Sequence, residues 1–230
     1  MMRQRSISAY VSRLAISLTM LLFAGSSGWA QGFLKLEKDT IPMFRGFAVS
    51  FDLVGFAQLQ LGDYGQYEGA LRLNLHDQYF PIIEVGLGHA NRQNDDVTNL
   101  SYKTTAPYFR IGADVNIMKN KHTGNRIFAG LRYGYTNYKV DLSRSPFSDP
   151  YWGWTTSFEV NGLSCYQHWC EILFGLDARV AGPFHLGWSA RYRIRMSHDD
   201  GFVGRMWYVP GFGIQDTSNL GATFYASIDI

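Results

Sequence analysis

Four groups of residues have types and spacing that could do chemistry. Ser197-His198-Asp199-Asp200 offers a hydroxyl, an imidazole and two carboxylates in consecutive positions. His beside Asp can act as a general base with its orienting acid, which makes His198, Asp199 and Asp200 weak catalytic candidates. Asp-Asp-Gly is equally ordinary turn chemistry, and no enzyme activity is assigned on it. Cys165 and Cys170 are five residues apart, a spacing that fits no metal site. On one extended strand they would lie too far apart for a bridge. Two free thiols are expected, with a disulfide as the alternative if Cys165 folds back in a loop. Neither a metal nor a cofactor is implied. Aromatic residues gather in two stretches, Trp152 and Trp154 in one, Trp207 and Tyr208 in the other. Such clusters can form a binding surface for protein or glycan; the alternative is that they pack on one another and cap a barrel mouth.

The fourth group is the largest. Asp52, Glu68, Arg72, Glu84, Arg110, Asp114, Arg132, Glu171, Asp177, Arg191, Arg193 and Arg195 all sit at alternate positions of runs whose other parity is apolar. Both signs are present and Lys is missing. Arg suits a confined interior, where its planar fork pairs with carboxylates. The expectation is a charge-paired lumen. An anion-channel reading of the Arg191, Arg193, Arg195 row is weaker than carboxylate pairing.

The elements that would position these residues follow from that alternation. From Gly46 onward the apolar residues recur with period two, the strand signature. Eight runs can be counted. They start with Phe47, Val49, Phe51, Leu53, Gly55, Ala57, Leu59 and Leu61, and end with Leu220, Ala222, Phe224, Ala226, Ile228 and Ile230. Most reach the ~9–11 residues that cross a bilayer when tilted. Short connections (76–78, 119–125, 181–183) alternate with long ones (89–104, 139–167, 196–218), and only the short 62–65 breaks the pattern. This predicts an all-β, eight-stranded antiparallel up-and-down transmembrane barrel. The apolar parity carries no charge in any run, so it should face lipid, while an eight-stranded lumen is narrow enough for side chains to fill. Pro81 and Pro107 fall within runs and should mark a bulge or a strand end.

The chain has 230 residues with 21 Lys+Arg against 19 Asp+Glu. The first thirty hold Arg3, Arg5 and Arg13 and no acid, so residues 31–230 carry a net charge of −1. That excludes a strongly basic nucleic-acid binder. Hydrophobic content of 46% excludes a disordered chain. Residues 1–30 read as a cleavable secretory signal: a basic start, an apolar stretch Leu14–Ala24, then small residues Gly28 and Ala30 before the cut. Residues 31–43 read as a periplasmic tail and 44–230 as the barrel.

Several segments carry a resemblance: Asp63-Tyr-Gly-Gln-Tyr-Glu68, Tyr79-Phe-Pro-Ile-Ile-Glu-Val-Gly86, Ser101-Tyr-Lys-Thr-Thr-Ala-Pro-Tyr-Phe-Arg-Ile-Gly112, His185-Leu-Gly-Trp-Ser-Ala-Arg-Tyr-Arg193 and Trp207-Tyr-Val-Pro-Gly211. With them the chain resembles the small OmpA/OmpX-like barrels, and more closely a family of unknown function among Gram-negative outer-membrane proteins. The final strand, Leu220–Ile230, is similar to the C-terminal signal read by the barrel-assembly machinery, though it ends on Ile rather than an aromatic residue. The resemblance implies an outer-membrane location, lipid and assembly-machinery partners, and no assigned activity. A structural, adhesive or surface-interaction role, with a surface protein or glycan as partner, is the expectation. A lipid-modifying hydrolase or acyltransferase, or a narrow conduit, is the alternative.

Overall fold

The computed structural model describes residues 42–95, 99–148, 151, 153 and 155–230. The expected signal and nearly all of the tail, together with Trp152 and Trp154, lie outside them. The strands are β1 (Phe44–Asp52), β2 (Tyr64–Leu75), β3 (Tyr79–Arg92), β4 (Leu100–Asn116), β5 (Arg126–Ser148), β6 (Thr155–Ala181), β7 (Phe184–Asp199), the short hairpin β8 (Tyr208–Val209) and β9 (Gly213–Ile214), and β10 (Ser218–Asp229). β1 to β7 and β10 form a closed antiparallel barrel in which β10 joins β7 to β1. Closure at one end is made by Phe47 N–H to Ile230 O (3.1 Å) and Ile230 N–H to Phe47 O (2.8 Å). That end carries the tight turns at 76–78 and 182–183 and the connection 117–125; the opposite end carries the helix 53–61 and the segment 200–217.

Outward side chains are apolar over a continuous belt. On β7, Phe184, Leu186, Trp188, Tyr192, Ile194 and Met196 point out, while His185, Ser189, Arg191 and Arg193 are buried. A surface of this kind is unstable in water and stable in hydrocarbon, and a closed ring leaves no strand edge unpaired around most of its circumference. The chain is a transmembrane barrel.

Beyond that belt the polarity inverts. On β5 the outward residues change from Leu131 and Tyr133 to Asn137, Lys139 and Asp141, and the inward ones from Arg132 to Tyr138, Val140 and Leu142. β4 does the same, with Lys103 and Thr105 outside and Tyr102 and Ala106 inside. The inversion marks the membrane boundary. An aromatic ring of contacts lies at this level: Phe109 on Tyr135 (5.6 Å), Tyr135 on His168 (4.6 Å) and Tyr166 on His168 (5.7 Å), with Tyr133 Oη 2.6 Å from His168 Nδ1. Because apolar residues turn inward here, the expected loops 89–104 and 139–167 are largely strand, extending the barrel past the bilayer.

The first run corrects a second expectation. Only Phe44–Asp52 is strand; Leu53–Leu61 is a helix, α1. Asp52 caps it, accepting from Val54 N–H (3.1 Å) and Gly55 N–H (3.3 Å), and Gly62 N–H closes the other end on Gln58 O (2.9 Å). Helix α1 is therefore the missing long connection between β1 and β2, which removes the irregularity at 62–65.

The prolines sit at ladder gaps, with no shift of register. β4 pairs with β5 at Thr104↔Val140 and again at Tyr108↔Thr136, and Thr136 Oγ1 donates to Pro107 O across the break (3.0 Å). Pro81 faces a similar break in the pairing of β2 with β3.

Candidate functional site

The membrane part of the lumen is filled by one connected ionic column. Glu84 on β3 is ion-paired with Arg110 (Nε, 2.9 Å), Arg132 (Nε, 3.2 Å) and Arg191 (Nη1, 2.8 Å). Arg110 continues to Glu171 (3.1 Å) and to Glu68, and Arg193 reaches Glu171 as well (3.4 Å). Tyr108 Oη donates to Glu68 (2.5 Å), and Trp169 Nε1 to Glu171 (2.7 Å). Arg132 then bridges down to Asp114 (2.7 Å). Nearer the turn end, Arg72 (3.3 Å), Arg126 (3.0 Å) and His185 Nδ1 (2.8 Å) converge on Asp177, which also accepts from Tyr225 Oη (3.0 Å). A buried charge survives in a low-dielectric interior only when paired and hydrogen-bonded, and nearly every one of these groups has two or more partners. A space of about 20 Å³ lies between Glu68, Arg72, Glu84 and Arg191, roughly the room of a single water.

The charged side chains arrive from β2 to β7 at matched heights. Glu84↔Arg110 and Arg132↔Glu171 are direct cross-strand partners, as are Glu171↔Arg193 and Leu173↔Arg191. Glycines make the room. A Cβ on Gly86 would strike the Tyr108 ring, and one on Gly134 would strike Trp169.

Two members of the expected set stand outside the pairing. Asp52 is buried, but its carboxylate is spent on capping α1; among the described residues no cation pairs with it. Arg195 lies above the column, half-exposed, its backbone N–H bonded to Thr217 O (3.0 Å). Conversely, Arg126 and His185 belong to the column. Arg126 shared the polar parity of the fifth run. His185 stood beside the turn at 182–183, where alternation says least about facing.

Above the column the mouth is stoppered. Residues 200–217 fold back between the strand extensions, and β8 and β9 form a hairpin inside the barrel wall. Met206, Tyr208, Val209 and Phe212 are fully buried there with Tyr102, Tyr138 and Trp169. Phe212 O accepts from Arg193 Nη1 (2.8 Å), tying the stopper to the column. Gly211 has φ +79°, a left-handed turn pressed against the Tyr108 ring, where a side chain would be both strained and obstructed. Tyr208 is only 2% exposed; its Oη donates to Gly65 O (3.2 Å), and its own carbonyl accepts from Tyr102 Oη (2.5 Å). Burial holds its phenol well above the ordinary tyrosine range, so it stays a protonated donor. The expected surface role of Tyr208 is thereby corrected: an aromatic with a polar tip was better accommodated inside, where both ends find partners. Trp207 lies at the edge, packed on Tyr64 (5.7 Å) and Tyr102 (5.8 Å) under the Arg92 guanidinium (5.1 Å).

Beside the stopper lies a cavity of about 670 Å³. Apolar and aromatic side chains such as Tyr102, Leu142 and Trp207 line it, together with the polar Arg92, Asp95, Arg144, Arg205 and Gln215. Arg92 is paired with Asp95 (2.6 Å). Arg205 reaches a carbonyl, Gln215 O, at 3.5 Å, and among the described residues no carboxylate pairs with Arg205 or Arg144. Cys165 faces inward and Cys170 outward, and both are free thiols. His198 Nε2 lies 3.5 Å from Asp200 Oδ2, but that oxygen is already held by Gln215 Nε2 at 2.6 Å, and Asp199 Oδ1 accepts from Gly201 N–H (2.9 Å) as turn chemistry.

Among solved structures, similar folds include a major outer membrane protein from Thermus thermophilus (11% identity, TM-score 0.45, 80% of this chain and 98% of that one). CarO2 of Acinetobacter baumannii is another (11%, 0.41, 83% and 100%). The attachment invasion locus protein Ail of Yersinia pestis, solved with the heparin analogue sucrose octasulfate, is a third (11%, 0.37, 80% and 93%). No curated protein matches the sequence. The family described as Domain of unknown function (DUF6048) matches residues 8–229, nearly the whole sequence, and the chain belongs to that family.

Proposed function

We propose that this chain is an outer-membrane barrel whose work is done at its mouth, as a surface receptor for an acidic carbohydrate. In this reading residues 1–30 direct export and are removed. The barrel-assembly machinery inserts residues 44–230 through the final strand. Both termini stay periplasmic, so the stoppered end faces outward.

One observation carries the reading: the 670 Å³ cavity beside the stopper combines an apolar, aromatic wall with two arginines, Arg144 and Arg205, that have no carboxylate partner among the described residues. Sugar rings stack on aromatic faces such as Trp207, and acidic substituents pair with Arg by charge-assisted hydrogen bonds. The cavity size falls within the usual ~300–1,000 Å³ of ligand sites. The lumen below is occupied by ion-paired side chains, which argues for capture at the surface and against passage.

The test is titration of the detergent-solubilised barrel with a polysulfated oligosaccharide, read by calorimetry. Binding is expected, and Arg144→Ala with Arg205→Ala together should weaken it at least about tenfold, since each charge-assisted contact contributes ~1.5–3 kcal/mol. A binding constant unchanged by both substitutions, or an absence of binding, contradicts the assignment.

A further inference from the structure

The barrel wall is incomplete on one side. β1 pairs with β10 only from Ala48↔Asp229 to Asp52↔Tyr225, so β10 from Ser218 to Phe224 lacks a partner on its β1 side. On the other flank, β2 pairs with β1 no further than Gly69↔Phe51, which leaves Tyr64 to Glu68 without one. The seam lies within the apolar belt, because Leu220 and Phe224 stand level with Tyr192 and Trp188 on β7. An open sheet edge is not tolerated in hydrocarbon, whereas a helix satisfies its own backbone. Helix α1 stands at this seam in place of the outer half of β1.

On the β2 side the helix packs closely, with Phe56 against Phe51 (6.2 Å) and Tyr67 (5.8 Å) and Leu59 against Gly65, but toward β10 its side chains leave the seam uncovered among the described residues. Leu53, Phe56 and Leu61 of α1 are exposed, Leu61 to 87%. Between α1 and β10 a groove of about 470 Å³ remains, walled by Leu53, Val54, Ala57, Leu61 and Phe224. It is continuous with the lipid-facing surface, and its wall is almost wholly apolar.

We infer that this groove is a binding site for one acyl chain of a membrane lipid, held at the seam between α1 and β10. The chain covers apolar side chains that no group among the described residues covers, and it lies along a wall that already meets lipid. Hydrocarbon is the chemistry the groove selects, since no charged side chain lines it. Nothing in this depends on what the mouth cavity binds.

The experiment uses the full barrel folded into vesicles of phosphatidylethanolamine and phosphatidylglycerol, extracted in mild detergent and weighed by native mass spectrometry. The expected result is one retained phospholipid per barrel. Ala57→Trp, which fills the groove, should reduce the retained fraction at least tenfold; Leu131→Trp, on the belt away from the seam, should leave it unchanged. Leu61→Asn, at a position too exposed to disturb packing, should also reduce it, without added bulk. The inference is overturned if the wild-type barrel retains no lipid, if the groove variants retain as much as the wild type, or if Leu131→Trp loses as much as they do.

Discussion

At the scale of the residue, the account rests on Glu84, which three arginines share. Removing its charge while keeping its shape leaves Arg110, Arg132 and Arg191 undercompensated in a buried, low-dielectric site. Breaking a buried pair in this way costs about 3–5 kcal/mol. Glu84→Gln is therefore expected to lower the unfolding free energy of the reconstituted barrel in urea by that amount, whereas Glu159→Gln, on an exposed strand extension, should stay within about 0.5 kcal/mol of wild type. Equal effects would mean that Glu84 is not shared. Most of the column was legible in the sequence, because a charge on the polar parity of a membrane strand has no place to go but inward. Two kinds of residue escaped. Tyr108, Trp169 and Tyr225 are inward aromatics whose polar tips finish the hydrogen bonding of Glu68, Glu171 and Asp177, and alternation assigns them no role. Asp52 was legible as a charge but not as a cap, since the strand was read straight through it.

At the scale of the element, α1 is the instructive case. Leu53-Val-Gly-Phe-Ala-Gln-Leu-Gln-Leu61 satisfies period two at its odd positions, yet Val54 and Phe56 put apolar groups on the parity that should be polar. That breach, together with an Asp immediately upstream, is a helix start. Asp52→Ala should destabilise the barrel by about 0.5–2 kcal/mol through loss of the cap. Asp52→Asn keeps the accepting oxygen and should cost only a few tenths. If denaturation midpoints fall equally for both, Asp52 acts through its charge and the helix is held otherwise. The strand extensions were misread as loops for a related reason. Polar residues outside and apolar residues inside, as at Lys139 and Tyr138, are the reverse of the membrane pattern, and a rule that equates apolar with outward fails as soon as the strand leaves the bilayer. The stopper was visible as an aromatic cluster, but its burial depends on contacts with Tyr102, Tyr138 and Trp169 that lie dozens of residues away in sequence.

At the scale of the whole molecule, two solvents explain the architecture. Hydrocarbon selects the outward belt, and the narrowness of an eight-stranded ring forces the inward charges into contact. The number of strands, their antiparallel order and the inward facing of Arg191 and Arg193 were legible because each repeats along the chain. The mouth was not, because it is built from irregular segments that meet only once. A filled column below a tied stopper should pass no current: planar-bilayer recordings of the purified barrel are expected to stay at baseline, and stable conductance steps would show that the column opens. The central claim, apolar side chains outward and charges within, is tested most directly by spin labels placed singly from Phe184 to Ile194 along β7, with Cys165 and Cys170 replaced by Ser, in vesicles. Accessibility to oxygen dissolved in the bilayer should oscillate with period two, high at the even-numbered positions and low at the odd-numbered ones. A flat profile, or maxima at 185, 189, 191 and 193, would contradict it.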